Sequence, residues 1–521
     1  MKKYIFLLLF LIILIGVFFR IYRLGEQSLW LDEARSFQRA NQGIHALWVN
    51  QPKESNPPLY DILFHFYLRI SGKNNEFALR FLSALIGILL IPLIFFTGKH
   101  IFGVKAGLIS ALIVAISPQH IYYSQDAKMY ALLALLSLAS FSSYYLALEK
   151  NGYLHWASYI ITTIALIYTH NMGIFLFLAQ VFIFATLFKK VHTRRWNFLI
   201  SCLSIAIFLL PRIFSWFALI SIDANPWIQP VSFKDIIYTP YYFSVLSWGM
   251  QITYLVSIAL VIALPIYSFV FLRGIFTRNK NDNGKETLFT EFDKLKFVLI
   301  YLLVPFILAL LVSLKRPIYV VGRYDMFIFP AFCLISGMGL AKIKQANLRV
   351  ILLAGIVIAS VLSLHDYYYV FRKSNDRKVA NYLQSHINRD DILIFTDLSA
   401  YSFNYYWRQD YQPAMISFPM VDDGWLPRQA LECNDAYVNN EIRKTVGRIK
   451  EMQKDNSLIW LMFNDIPINR RLVAELKRDY ILKGTVDFIP GRNKNQISEV
   501  LIFKSRTQSL PDWLPEKLLT R

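Results

Sequence analysis

The stretch "MKKYIFLLLFLIILIGVFFRIYRL", residues 1–24, decides how the rest of the chain is read. After a short basic start it runs apolar for roughly 18 residues, long enough to cross a hydrocarbon core, and no small-residue cleavage site follows. It is expected to remain as a first membrane helix. Directly behind it comes "RLGEQSLWLDEARSF", residues 23–37, where two adjacent carboxylates, Asp32 and Glu33, follow a Leu-Trp-Leu run as the chain leaves the bilayer.

Working outward, further apolar windows appear near 79–98, 103–118, 128–147, 154–169, 171–188, 196–217, 247–272, 296–314, 326–341 and 349–365. With the first, these predict about eleven membrane helices. Composition agrees: 55% of the 521 residues are hydrophobic and only 17% charged, against about a quarter in soluble domains. The formal net charge of +20 would suit a nucleic-acid binder, but its distribution argues otherwise. If "MKK" is cytoplasmic, the basic groups Lys99 and Lys105, Lys189 to Arg195, Arg273 to Lys296, and Lys342 to Arg349 all fall on the cytoplasmic side, whereas the loops near 118–127 and 170 are nearly free of them. Orientation in the membrane accounts for the charge, and no nucleic-acid role is assigned. Cys202, Cys333 and Cys433 are the only cysteines, so neither a disulfide framework nor a Cys-based metal site follows.

An odd number of spans puts the first loop, 23–78, and the tail beyond about 370 in one extracytoplasmic compartment. The domain reading is therefore a membrane part over 1–370 and an extracytoplasmic α/β domain over 371–521. In that tail "DILIFTD" (391–397), "SLIWLMF" (457–463) and "SEVLIFK" (498–504) read as buried strands. Between them "NNEIRKTVGRIKEMQKD" and "RRLVAELKRDY" read as helices. "DDGWLP" at 422–427 matches no recognisable site.

No Walker A loop, dinucleotide-binding glycine motif or HExxH is present, which disfavours ATP-driven transport and zincin chemistry. Ionisable or helix-breaking clusters gather instead at the outer ends of spans: Asp32 and Glu33, "ESNPPLY" (54–60), "SPQHIYYSQDAKMY" (117–130), "YTHN" (168–171) and "KRPIYVVGRYDMF" (315–327). Charges near a bilayer are tolerated where they face water or one another, so their convergence predicts a polar cavity. Outside the cytoplasm, group transfer needs an activated donor carried by the membrane, and a lipid phosphate fits. Its displacement calls for a carboxylate to take the acceptor proton, from Asp32 or Glu33, and cations to hold the departing phosphate, from Lys128, Arg316 or Arg323. Adjacent helical residues point about 100° apart, so one carboxylate is expected to be catalytic and the other structural. Asp126 and Lys128, two residues apart, would likewise diverge on a helix. The bland readings are that His170 and Asn171 satisfy a helix break, that Arg323 reaches lipid headgroups, and that Tyr122, Tyr123, Tyr130, Tyr241 and Tyr242 form an interfacial belt.

"SLWLDEARSF", "NPPLY", "SPQHIYYSQDAKMYALL", "YTHNMGIFLFLAQ" and "GRYDMFIFPAF", in that order over roughly the first 340 residues, resemble the membrane glycosyltransferases of the GT-C fold. The resemblance is to the dolichyl-phosphate-mannose-protein mannosyltransferase-like family (glycosyltransferase family 39), and to the aminoarabinose transferases acting on lipid A. It implies an inverting transfer of a monosaccharide from a polyprenyl-phosphate donor to a protein, lipid or envelope-glycan acceptor at the outer face of the cytoplasmic membrane. It places catalytic roles on Asp32, Glu33 and Asp126, with Asp32 as the base. Substrate-binding positions fall by the resemblance on Asn56, Tyr60, Lys128, Arg323 and Tyr324, and Tyr130, His170 and Arg316 join them from the clusters at the outer ends of spans. Asn56 stands where the aminoarabinose transferases carry a phosphate-binding Lys, which shifts the expected phosphate contacts to Lys128 or Arg323. No cofactor is expected to be required, and Mg²⁺ or Mn²⁺ at the carboxylates is left open. The rival readings are a lipid-linked-sugar flippase, which would carry ionisable groups through the membrane depth, and a non-catalytic scaffold.

Overall fold

The computed structural model describes residues 2–49, 56–221, 228–245, 254–276, 288–396, 398–419, 432–488 and 499–506. The chain forms two compact units: Met1–Gly25 with Arg39–Val370, and Glu26–Gln38 with Phe371–Arg521. The short segment bearing Asp32 and Glu33 thus clusters with the tail, not with the helices that flank it in sequence.

In the first unit a helix stands at every apolar window. Six described helices are long and apolar enough to cross a membrane, or seven if one bent pair counts as a span, against the expected eleven. Length accounts for three of the four helices left out; the fourth, Tyr254–Phe276, has 23 residues. Tyr153–Thr169, Gly173–Thr186 and Phe329–Ala341 have 17, 14 and 13 residues, and at about 1.5 Å per residue they fall short of a core about 30 Å thick.

The bent pair is Val104–Ile116 and Pro118–Ser124, which meet at 60°. Pro118 has no N–H and steers Ser117 out of the helical region, to φ −62° and ψ 116°. That break deprives the Val114 and Ala115 carbonyls of their helical donors. The Arg20 guanidinium, fully buried, supplies replacements at 2.9 and 3.0 Å and also binds Gly16 O and His120 Nδ1. The segment read as an outer loop near 118–127 is consequently a buried elbow, sequestered throughout.

Small residues let the helices approach. Gly107 lies against Glu76–Phe102, where an added Cβ would come within 2.6 Å of Phe95 O. Hydroxyl and amide contacts join further helices: Ser137 to Tyr301, Ser140 to Thr163 and Gln180 to Ser140, each at 2.8–2.9 Å.

The second unit is built on a five-stranded mixed sheet: β1 Ile392–Thr396, β2 Ala414–Phe418, β3 Ile459–Phe463, β4 Tyr480–Asp487 and β5 Glu499–Ser505, in spatial order β2-β1-β3-β5-β4. β1 pairs parallel with β2 and β3, while β5 pairs antiparallel with β3 and β4. β1 and β3 are buried along their whole length, as expected of parallel strands covered on both faces. Helices Asp435–Met452 and Pro467–Asp479 contribute Ile449 and Leu472 to the core that holds Leu461 and Phe503. Two strands escaped the sequence reading. β2 is short and only partly buried, and β4 begins at Tyr480, the residue taken as the end of a helix. "DDGWLP" lies outside the described residues.

Candidate functional site

In the first unit three interruptions of regular structure supply one cluster of side chains. The helix Tyr153–Thr169 stops at His170, the bend 125–129 precedes Tyr130–Lys150, and the turn after Glu291–Lys315 carries Arg323 and Tyr324. Arg323, only 7% exposed, donates from Nε to the Tyr130 hydroxyl. Its guanidinium carbon lies 5.1 Å from the Tyr130 ring centroid and 5.9 Å from that of Tyr324. His170 packs edge-on against Tyr324 at 4.7 Å. This arrangement holds a cation between aromatic faces, where cation–π attraction fixes its direction. Arg323 is therefore buried among protein groups rather than extended to lipid headgroups.

Gly322 aims that arginine. Its φ of +74° is in the left-handed region, where glycine carries no Cβ penalty. Its carbonyl accepts from Tyr123 Oη at 2.7 Å and from the Gln119 amide, and its N–H donates to Asp325 Oδ2 at 2.8 Å. Sequence reasoning singled out none of Gly322, Gln119 and Asp325 as site residues; the glycine ahead of "RYD" was the available signal. Tyr122, Tyr123 and Tyr130 are buried and packed on one another, not arrayed in a belt, because the elbow folds them inward. Tyr241 and Tyr242 are half-buried.

Asp126 and Lys128 are buried in the bend, not on a helix, and Lys128 N–H donates to Asp126 O at 2.7 Å. The helical argument for their divergence therefore does not apply. Tyr60 supports the same bend: its hydroxyl meets Ser83 Oγ at 2.8 Å, and Ser83 Oγ donates to Lys128 O at 3.2 Å. Asn56 is half-buried ahead of Pro57 and Pro58, and Arg316 is half-buried at the end of Glu291–Lys315. His170 Nδ1 accepts from Met172 N–H at 3.2 Å and so satisfies a backbone group of the helix break, whereas Asn171 Oδ1 accepts from the Arg212 and Trp216 side chains of helix Arg195–Ser221 at 2.8 and 2.9 Å.

Burial, reinforced by Arg323 and Arg212, pushes His170 down to about 3, so it stays neutral at physiological pH. Burial pushes Asp325 up to about 7, opposed by hydrogen bonds from Gly322 N–H and Tyr319. The unfolded chain releases that proton near about pH 4 and the folded chain holds it to about 7. Stability should therefore fall as pH rises between those values. Melting temperature is expected to drop from pH 5 to pH 8 in the wild type and to drop less in Asp325→Asn. Equal slopes in the two proteins would refute this assignment.

In the second unit, Asp32 and Glu33 occupy the first turn of helix Leu31–Asn41 and differ in setting. Glu33 is 0% exposed, with Oε1 at 3.3 Å from Lys373 Nζ and Oε2 accepting from Trp30 N–H at 3.4 Å. Its segment is anchored by Gln27, whose Oε1 accepts from Lys373 N–H at 2.8 Å, and by Leu29 N–H to Tyr406 Oη at 2.7 Å. Asp32 is half-exposed. Among the described residues no three His, Cys, Asp or Glu side chains gather as a metal-ligand set.

Residues 55–214 match the family model described as dolichyl-phosphate-mannose-protein mannosyltransferase. An uncharacterized protein of Aquifex aeolicus (strain VF5) is 24% identical over 387 residues, 71% of this chain and 70% of its own. Among solved structures, ArnT from Cupriavidus metallidurans in the apo state aligns with a TM-score of 0.57 at 12% identity, over 96% of this chain and 98% of that one. Its form bound to undecaprenyl phosphate gives 0.56 at 10% identity, over 98% and 100%. The apo oligosaccharyltransferase of Archaeoglobus fulgidus gives 0.54 at 12% identity, covering 98% of this chain and 76% of that one. The chain is a multi-pass membrane protein with the GT-C fold of membrane glycosyltransferases.

Proposed function

We propose that the protein transfers a monosaccharide from a polyprenyl-phosphate donor to an acceptor at the outer face of the cytoplasmic membrane, with its N-terminus cytoplasmic and its second unit extracytoplasmic. The observation that carries this reading is the buried Arg323 held between Tyr130 and Tyr324 within a GT-C fold. ArnT has been solved with undecaprenyl phosphate, and an archaeal oligosaccharyltransferase with dolichol-phosphate and an inhibitory peptide, which supports a lipid-phosphate donor here.

In the proposed reaction the acceptor hydroxyl attacks the anomeric carbon from the face opposite the phosphate. The new C–O bond forms as the bond to the phosphate oxygen breaks. The acceptor proton passes to the Asp32 carboxylate, and the electron pair leaves with the polyprenyl phosphate, giving inversion. A carboxylate is far less basic than an alkoxide, so it acts as the bond forms rather than beforehand. Arg323 and Lys128 meet the charge gathering on the leaving phosphate, where Arg offers a planar set of donors and Lys a point charge. Neutral His170 and the tyrosines shape the surroundings of Arg323 without adding charge. Membrane lipids surround the enzyme, and the acceptor is a protein, a lipid or an envelope glycan.

The test is purified protein in lipid, incubated with radiolabelled polyprenyl-phosphate sugars and envelope extract. Label is expected to move from lipid to acceptor, and Arg323→Gln is expected to raise the donor KM by about 10- to 100-fold, the equivalent of one lost charge-assisted contact. If no donor loses its label with any extract, the transferase reading is overturned.

A further inference from the structure

At the other ends of helices Glu76–Phe102 and Tyr130–Lys150, away from the breaks that carry Arg323 and His170, lies a cavity of about 480 Å³. Its polar lining is Thr97, Lys99, His100, Ser142, Tyr145 and Lys150. The Thr97 and Ser142 hydroxyls satisfy each other at 2.7 Å, and His100 Nε2 meets Glu149 Oε2 at 2.7 Å. Lys99 and Lys150 are exposed and leave the lining basic. Tyr145 is 1% exposed, yet its hydroxyl has no hydrogen-bond partner among the described residues. Leu93, Phe96 and Leu146 add an apolar wall.

We infer that this cavity binds the headgroup of an anionic phospholipid. The two lysines select negative charge and offset the negative partial charge of the two helix C-termini. The acyl chains run along the apolar wall. An amphiphilic ligand explains both the charged rim and the apolar wall; a soluble phosphate explains only the first. The inference does not depend on the transferase reading.

The probe is phosphatidylglycerol. Wild-type protein is released from nanodiscs of phosphatidylcholine and phosphatidylglycerol, and retained lipid is counted by native mass spectrometry. One phosphatidylglycerol is expected to remain on the wild type. Lys99→Gln/Lys150→Gln should retain it about thirtyfold less well, at roughly fivefold per lysine near a charged surface. The control Lys105→Gln/Lys344→Gln, both exposed and outside the cavity lining, should behave as wild type. Equal retention by wild type and the cavity variant, or equal loss in the control, would overturn the site. Displacement by inorganic phosphate would overturn the lipid in favour of a soluble anion. Unchanged melting temperatures establish that the variants are folded.

Discussion

Asp32→Asn is expected to cut sugar transfer by about 10²- to 10⁴-fold, the range for removing a general base, while donor binding and melting temperature stay near wild type. Asparagine keeps the shape and cannot take the acceptor proton. Asp32 is half-buried in the first turn of its helix, and an amide of the same shape fits its place. Its neighbour provides the contrast. Glu33 is buried against Lys373, and Glu33→Gln removes the carboxylate 3.3 Å from that ammonium, a change of about 3 kcal/mol in stability. The two adjacent carboxylates should therefore separate experimentally, one through turnover and the other through melting temperature. Full activity in Asp32→Asn would remove it from the chemistry and move the role of base elsewhere.

How much of this was legible depended on whether a feature is local. Apolar windows report spans because every residue in a window speaks for itself, and helices appeared at each of them. The crossing count was harder, since a helix of 13 or 14 residues packed among others looks in sequence like a slightly short span. β1, β3 and β5 were visible as continuous apolar runs. β4, "YILKGTVD", has an irregular burial pattern and starts inside an apparent helix, so only its pairing with β5 identifies it.

Within the first unit, Tyr130, His170, Arg323 and Tyr324 were nominated from segments at the ends of apolar windows and from the family resemblance, and the structure brings those segments together. What their residue types did not disclose is how Arg323 is held. The Gln119 and Tyr123 contacts to Gly322 O span about two hundred residues, and no spacing rule reports them. The partition of Glu26–Gln38 with the tail was hidden for the same reason, because Gln27 to Lys373 and Leu29 to Tyr406 are long-range hydrogen bonds.

Arg20→Leu is expected to destabilise the protein by about 3–5 kcal/mol, enough to abolish accumulation of folded protein in the membrane. In the sequence Arg20 is a lone charge near the end of the first apolar run. In the structure it is the repair for a defect made a hundred residues later, since Pro118 ends one helix and leaves the Val114 and Ala115 carbonyls without donors. Leucine fills some of the volume but donates nothing. Two carbonyls would then be buried without partners, each costing about 1–3 kcal/mol, and the anchor between the first helix and the elbow would be lost. Arg20→Lys tests the cause: an ammonium keeps the charge but cannot reproduce the forked geometry, so it should rescue only part of the loss. A second variant separates the repair from mere bulk. Pro118→Ala restores an N–H at 118 and, if that N–H re-forms the helical bond to Val114 O, Arg20→Leu/Pro118→Ala should melt higher than Arg20→Leu alone. A double variant no more stable than the single one would show that Arg20 acts through something other than the carbonyls freed at the break.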